Sequence, residues 1–196
     1  RMGPNLELVK EISENCFVPM TIGGGINKIN QVQKLFYNGA DKIAINSYAY
    51  KNIDFISKIA AEYGSQSIVA SVDVKKIGNK WLCFSNNGKV NTHYEVVDWC
   101  KRLKENGAGE IMLCSIDNDG LMNGYDQNLI KYVSQNVNLP LIVSGGAGSY
   151  EDFEIAIKNG SSAVAAASIF HFTYRTPNEA KSYLLSKNIP VRKFFK

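Results

Sequence analysis

The sequence lacks the marks of several large protein classes. Its 196 residues contain no apolar run of about 18 residues, the length that a membrane-spanning helix needs. The first residues, RMGPNLELVKEIS, have no apolar segment of the kind that a secretory signal requires. Lysines and arginines number 22 but form no dense stripe, so the net charge of +4 does not predict nucleic-acid binding. We therefore expect a cytoplasmic protein that uses neither a membrane nor a nucleic acid.

The sequence is also poor in the ligands of a metal site. Its two histidines, His93 and His171, stand far apart and have no acidic or cysteine partners at ligand spacing. The four cysteines show no CxxC spacing. Without a secretory signal, this pattern favours free thiols in a reducing compartment. We expect no metal and no cofactor.

What the sequence does contain is a regular alternation of short apolar runs and amphipathic segments. Nearly continuous apolar strands, separated by helix patterns that often end in Asn-Gly, are typical of a parallel sheet covered by helices. One segment, 74–92, breaks the alternation, because its two short apolar runs flank an Asn-Asn-Gly turn and predict an inserted β-hairpin. The predicted parallel strands are 19–23, 42–46, 67–73, 110–117, 139–145 and 163–168.

Residues 19–49 and 140–170 form an internal repeat, with a shift of 121 residues and no gap. Each copy contains a strand, a Gly-Gly loop, a helix with an Asn-Gly stop, a second strand and a serine. Two such halves make about 242 residues, close to the roughly 250 of a (β/α)8 TIM barrel. We therefore expect one barrel domain over 1–196 that lacks strands 1 and 2, about 50–60 residues, at its N-terminus. The hairpin then follows strand 5. The glycine pairs are Gly24-Gly25 and Gly145-Gly146, and the serines are Ser47 and Ser168.

The two Gly-Gly loops are candidate phosphate sites. In barrels the loops after the strands form the active site, and phosphates bind near the last two of them. A Gly-Gly loop brings backbone amides close to an anion. The first copy combines 23–26 (GGGI) with Asn46 and Ser47, and the second combines 144–148 (SGGAG) with 165–168 (AAAS). Two related cradles suggest a ligand with a phosphate at each end; the alternative is that the glycines only serve tight turns.

Charged residues stand at both ends of the predicted strands. A carboxylate at the carboxyl end of a barrel strand points into the mouth of the barrel, so Asp73 is a candidate general acid or base. The alternative for Asp73 is a helix or turn cap. Asp119, before Gly120, either binds substrate hydroxyls or shapes a turn. Lys42 and Glu110 stand at the N-terminal ends of their strands, where charges in barrels are usually structural.

Together these motifs resemble the HisF family, the cyclase subunits of imidazole glycerol phosphate synthase. The resemblance extends over the whole chain and rests on TIGGGI, DKIAIN, GSQSIVASVDVKK, GAGEIMLCSIDNDG, NGYD, SGGAG and AAASIFHF. It implies a (β/α)8 barrel with a two-fold half-barrel repeat, of the ribulose-phosphate-binding type. It also implies a lyase of histidine biosynthesis that works as a heterodimer with a glutaminase subunit (HisH-like). Ammonia from that partner reacts with a ribulosyl aminoimidazole carboxamide nucleotide that carries two phosphates, and the products are imidazole glycerol phosphate and an aminoimidazole carboxamide nucleotide.

The resemblance assigns roles at the carboxyl ends of the strands. Asp73 matches one of two catalytic aspartates, and the other is expected in the missing N-terminal segment. Asp119, next to Gly120, matches a contact with the glycerol part of the substrate. The residues that match the two phosphate sites are Gly25, Asn46 and Ser47 for the first, and Ser144, Gly146, Ala167 and Ser168 for the second.

The resemblance also assigns roles at the opposite end of the barrel, where the glutaminase docks. Lys42 and Glu110 match part of a charged ring at the ammonia entrance, which implies gating rather than a structural role. Asp41 and Gln66 fall on the face toward the partner.

Some residues depart from the pattern of the histidine enzyme. The segment 4–26 resembles HisF-like paralogues of surface-glycan gene clusters (the WbuZ type). Cys114 and Leu121 stand at positions where threonine is common, and Asn87 and His93 around the hairpin also differ. In those paralogues the acceptor is a sugar that becomes an acetamidino derivative. An amidotransferase subunit for glycan modification is therefore the alternative function, and a non-catalytic scaffold that activates a glutaminase is a third.

Overall fold

The computed structural model describes residues 3–192. Each predicted strand is present, and helices alternate with the strands along the chain. A short 3-10 turn, Ser65–Ser67, precedes the third strand. The strands are β1 Thr21–Gly23, β2 Lys42–Ile45, β3 Ile68–Ile77, β4 Lys80–Ser85, β5 Val90–Glu95, β6 Glu110–Ser115, β7 Leu141–Ser144 and β8 Ala163–Val164. The helices are α1 Leu6–Asn15, α2 Ile29–Tyr37, α3 Ser47–Lys51, α4 Asp54–Tyr63, α5 Val96–Glu105, α6 Gln127–Asn136, α7 Tyr150–Lys158, α8 Ser168–His171 and α9 Pro177–Ser186.

The centre of the fold is a sheet of parallel strands in the order β1-β2-β3-β6-β7-β8. Each of these strands pairs in parallel with the next one along the chain, as in Ile43 with Ile68 and Ile111 with Leu141. Successive parallel strands with helices between them are the arrangement of a (β/α)8 barrel, and the predicted alternation is confirmed. The carboxyl ends of these strands therefore lie along one edge of the sheet.

A close-packed core holds this edge in place. Ile43, Ile68 and Ile111 of the sheet are fully buried. Helix α2 buries Val32 and Leu35, which stand three residues apart and so share one face of the helix. Burial of each aliphatic side chain contributes about 1.5–3 kcal/mol. The loops that follow the strands are thus carried by a rigid scaffold.

Strand β3 is longer than the sequence pattern predicts. The prediction that it ends at Asp73 is wrong, because it continues to Ile77. Strand β2 pairs with β3 only as far as Ala70, and β4 then takes up the free edge by antiparallel pairing that starts at Asp73 and Phe84. Asp73 therefore lies within a strand, opposite Cys114 of β6 on its other side.

The inserted segment consists of β4 and β5, which pair as a hairpin. Its second strand runs to Glu95, beyond the predicted bound at residue 92. The tip contains Asn86 and Asn87 with φ of 53° and 60°, a left-handed conformation that asparagine tolerates better than most residues. The register shifts between the pairs Leu82–Glu95 and Phe84–Asn91, so the extra residues of this irregularity lie in the second strand, β5.

The predicted strands 42–46 and 163–168 are too long. The chain leaves the sheet earlier and enters the short helices α3 and α8, whose first residues are Ser47 and Ser168. The residues before these serines have φ of −125° and −127°, so the two copies of the repeat turn with a similar backbone. Helices of four or five residues are too short to show a helical period in the sequence.

Candidate functional site

A cavity of about 410 Å³ opens at the carboxyl ends of β1 and β2. Four residues predicted for the first phosphate cradle line it, namely Gly24, Gly25, Asn46 and Ser47. At Gly24 the φ is +106°, and an added Cβ would meet nothing within 4 Å, so the backbone faces open space here. A ligand can approach this part of the backbone closely. We call this cavity and its lining the first cradle.

A second cavity, of about 200 Å³, opens at the ends of β7 and β8. The internal repeat relates its Gly-Gly loop and its serine to those of the first cradle. One cavity therefore contains the residues predicted for the second phosphate site. It also contains Asp119 and Gly120, which are predicted to lie beside that site at the substrate. We call this cavity the second cradle, and its predicted members are Asp119, Gly120, Ser144, Gly145, Gly146, Ala167 and Ser168.

Asp73 interacts with one group from each cradle. Burial raises the pKa of its carboxyl above the ordinary value, and hydrogen bonding with the Asn46 side chain opposes this shift. The negative charge of Asp119 raises the pKa of Asp73 further. A partly buried carboxyl with a raised pKa, coupled to a side chain of each candidate anion site, is suited to proton transfer.

The tip of the β4–β5 hairpin folds over the first cradle. The backbone N–H of Asn86 donates a hydrogen bond to the Ser47 hydroxyl, with 2.9 Å between nitrogen and oxygen. Asn86 and Asn87 both line the cavity. Sequence reasoning found the hairpin but missed this contact, since no local pattern shows that a tip 39 residues downstream returns to Ser47.

Replacement of Ser47 by alanine should loosen this tip without unfolding the protein. The Asn86 N–H loses its acceptor and turns to water, which costs about 1 kcal/mol. Amide hydrogen exchange at Asn86 should therefore accelerate about fivefold, as measured by NMR. Ser168→Ala, the same change in the other copy of the repeat, is the control and should leave exchange at Asn86 unchanged. Equal exchange rates in wild type and Ser47→Ala would contradict the contact.

The loop after β6 is held against the Gly-Gly loop of the second cradle. The Gly124 N–H donates to the carbonyl oxygen of Gly146 at 2.7 Å, and the Asn118 amide donates to the carbonyl of Gly124 at 2.8 Å. The Tyr125 hydroxyl donates to the carbonyl of Ala165 at 2.9 Å. The NGYD segment thus shapes the second cradle. The sequence marks this segment as a family motif but does not show these contacts.

The charged residues predicted at the N-terminal strand ends lie at the opposite end of the sheet. Lys42 and Glu110 form an ion pair of 2.5 Å across β3, and both side chains are largely buried. Asp41 accepts a hydrogen bond from the backbone ahead of β1 at 2.7 Å. Gln66 donates to a backbone carbonyl at the end of α4 at 3.2 Å. The roles of these residues in gating and partner binding stay predictions.

The described part of the chain gathers no set of three or more histidine, cysteine, aspartate or glutamate side chains that could hold a metal ion. In residues 3–192 no helix has the length and apolar character needed to cross a membrane. The four cysteines are free thiols.

Sequence comparison decides the family. The model of the histidine biosynthesis protein family matches residues 1–175. An imidazole glycerol phosphate synthase subunit HisF from Dictyoglomus thermophilum is 49% identical over 191 residues, which cover 97% of this chain and 76% of the relative. This chain belongs to the HisF family. HisF subunits from Chlorobium phaeovibrioides and Endomicrobium trichonymphae are each 44% identical, and the matches cover 75% and 74% of those relatives.

Membership of the HisF family confirms the resemblance that the motifs predicted. Each of the three relatives is named as subunit HisF of imidazole glycerol phosphate synthase. Of the residues that depart from the usual pattern, Leu121 is exposed. Cys114 lies near Asp119 and Asp73, and burial raises the pKa of its thiol to about 12. Asn87 lines the first cradle, and the other departing residues lie outside both cavity linings.

Proposed function

We propose that this HisF-family chain is the cyclase subunit of an imidazole glycerol phosphate synthase. It uses ammonia to convert a ribulosyl aminoimidazole carboxamide nucleotide with two phosphates into imidazole glycerol phosphate, and an aminoimidazole carboxamide nucleotide is released as the second product. The observation that carries the proposal is that Asp73 is hydrogen-bonded to Asn46 of the first cradle and lies within the electrostatic influence of Asp119 of the second. The names of the HisF relatives support the same reaction.

The two cradles bind the two phosphates of the substrate. In each cradle the Gly-Gly loop presents backbone amides, and the serine at the start of the next short helix presents a hydroxyl. A substrate held at both ends loses its freedom of rotation, and its reacting centre lies over Asp73. Asp119 accepts hydrogen bonds from the glycerol hydroxyls, beside the second cradle.

Asp73 transfers a proton during ring closure. The pKa of this carboxyl is raised and so lies closer to neutral pH than the pKa of an ordinary aspartate. The same carboxyl can therefore both take up and release a proton. The contact with Asn46 fixes the carboxyl relative to the first cradle. The negative charge of Asp119, in the second cradle, also raises the pKa of the Asp73 carboxyl.

A glutaminase subunit supplies the ammonia at the opposite end of the sheet, and the two subunits form a heterodimer in the cytoplasm. Subunit names among the HisF relatives support a partner, and the free thiols support a reducing compartment. Lys42 and Glu110, which form an ion pair, gate the entrance. Asp41 and Gln66 lie on the partner face.

A direct assay tests the proposed reaction. The full-length protein is given ammonium ions and the ribulosyl nucleotide, and the loss of substrate absorbance is followed together with the formation of imidazole glycerol phosphate. We expect turnover that depends on ammonium and needs no added metal or cofactor. Absence of turnover by a protein that still binds the nucleotide would reject the cyclase reaction. A nucleotide-linked sugar offered in its place tests the glycan-modifying alternative.

A further inference from the structure

The two cradles differ in charge. Among the described residues that line the first cradle, the one charged side chain is Lys51; among those that line the second, it is Asp119. Lys51 is the last residue of α3 and is exposed at the cavity. It forms no ion pair with any other residue in the described range 3–192. Its ammonium is therefore available to an anion that enters the cavity.

The internal repeat shows that this charge is specific to one cradle. The shift of 121 residues that superimposes the two copies places Lys51 on Phe172. Phe172 directly follows α8 and is exposed, so no buried packing requires an apolar residue there. Both cradles have a Gly-Gly loop and a serine, but only the first has a lysine, Lys51, at this position.

We propose that Lys51 is a ligand-binding residue of the first cradle, where its ammonium pairs with a phosphate group of the substrate. This inference rests on the proposed function, because it concerns the same bis-phosphorylated ligand. A lysine ammonium forms charge-assisted hydrogen bonds with phosphate that are stronger than those of neutral amides. In the second cradle a bound anion meets, among the described residues, only neutral hydrogen-bond donors, and it lies next to the carboxylate of Asp119. A phosphate therefore binds more tightly in the first cradle than in the second.

The hairpin tip supports the same assignment. Asn86 and Asn87 line the first cradle together with Lys51, and the hydrogen bond to Ser47 fixes the tip there. A wall on this side reduces the amount of water around an ammonium–phosphate pair, and the attraction between the two charges is stronger where water is excluded.

Titration of inorganic phosphate into the isotope-labelled full-length protein tests the proposal. Amide signals of Gly25 and Ser47 report binding in the first cradle, and those of Gly146 and Ser168 report binding in the second. We expect Lys51→Met to weaken phosphate binding in the first cradle about three- to tenfold and to leave the second unchanged. Lys51→Arg should keep most of the affinity. In the cyclase assay, Lys51→Met should raise KM by a similar factor while kcat stays within about twofold.

Lys58→Met is the matched control, since Lys58 is an exposed lysine on the next helix, α4, and does not line the first cradle. It should leave both affinities unchanged. Equal phosphate affinity in wild type and Lys51→Met, or an equal loss in Lys58→Met, would overturn the role of Lys51. Absence of phosphate binding in both cradles of the wild type would instead reject the proposed function itself. The two failures are thus distinguishable. A helix-capping role of Lys51 would change the unfolding temperature and not the phosphate affinity.

Discussion

Replacement of Asp73 by asparagine is expected to lower kcat about a thousandfold and, at the same time, to raise the unfolding temperature. The loss of activity follows because an amide cannot transfer the proton that ring closure requires. Asparagine has the same shape and keeps an oxygen that can accept a hydrogen bond from Asn46, so the cradles should stay intact. Steady-state kinetics with ammonium as the nitrogen source measure the first effect, and calorimetry measures the second.

The gain in stability follows from the direction of the pKa shift. Burial raises the pKa of Asp73 in the folded protein, so the folded state holds this proton more tightly than the unfolded chain does. Stability then falls as the pH rises from the unfolded pKa, about 3.9, through the higher folded value. At neutral pH the ionised carboxyl destabilises the fold, and asparagine removes that cost. Below pH ~3.9 both states are protonated, and the advantage of the variant should vanish.

Asp54→Asn provides the control for Asp73→Asn. Asp54 is an exposed residue in the first turn of α4 and lines neither cavity. The same chemical change there should leave kcat unchanged and should lower stability slightly, because the negative charge favours a helix N-terminus. A variant at Asp73 that keeps wild-type turnover would remove Asp73 from the proton-transfer step. A lower unfolding temperature of that variant at neutral pH would contradict the pKa direction.

The repeat made the two cradles predictable from the sequence. Glycine pairs and serines at one shift along the chain are local signals, and parallel strands bring their carboxyl ends to one edge whatever the details of packing. The sequence therefore predicts the sites of Gly24, Ser47, Gly145 and Ser168. The contact partners of Asp73 were not predictable in this way, because they depend on how far β2 and β4 follow β3.

Non-local contacts account for what the sequence did not reveal. Asn86 reaches Ser47 because the hairpin folds back over the sheet edge, and Lys51 lines a cavity because a helix of five residues begins at Ser47 and ends at Lys51. Neither arrangement has a periodic or compositional signal. Tyr125 belongs to the NGYD motif, yet its hydrogen bond to the carbonyl of Ala165 joins residues 40 positions apart. Local patterns located the glycine loops, and tertiary packing supplied the groups that surround them.

Replacement of Gly146 by alanine is expected to destabilise the protein by about 3–5 kcal/mol, which for a domain of this size lowers the unfolding temperature by about 8–15 °C. Gly146 has a φ of +113°, where a side chain is strained, and an added Cβ would lie 2.9 Å from the carbonyl carbon of Gly124. The two loops would have to separate, which breaks the hydrogen bond from the Gly124 N–H to the Gly146 carbonyl. The second cradle would lose its shape, and phosphate affinity there should fall with stability.

Gly24→Ala separates the clash from the backbone strain. Gly24 occupies the corresponding loop of the first copy with a φ of +106°, and the space around its added Cβ is open. Only the backbone strain remains, so Gly24→Ala should lower the free energy of unfolding by about 1–2 kcal/mol. Thermal unfolding of Gly24→Ala and Gly146→Ala under the same conditions measures the difference between them. The methyl group of Gly24→Ala would also extend into the first cradle, where it should weaken phosphate binding in a protein that stays folded. If both variants lost equal stability, the contact between the loops around Gly124 and Gly146 would carry no energy, and the second cradle would owe its shape to the Gly-Gly loop alone.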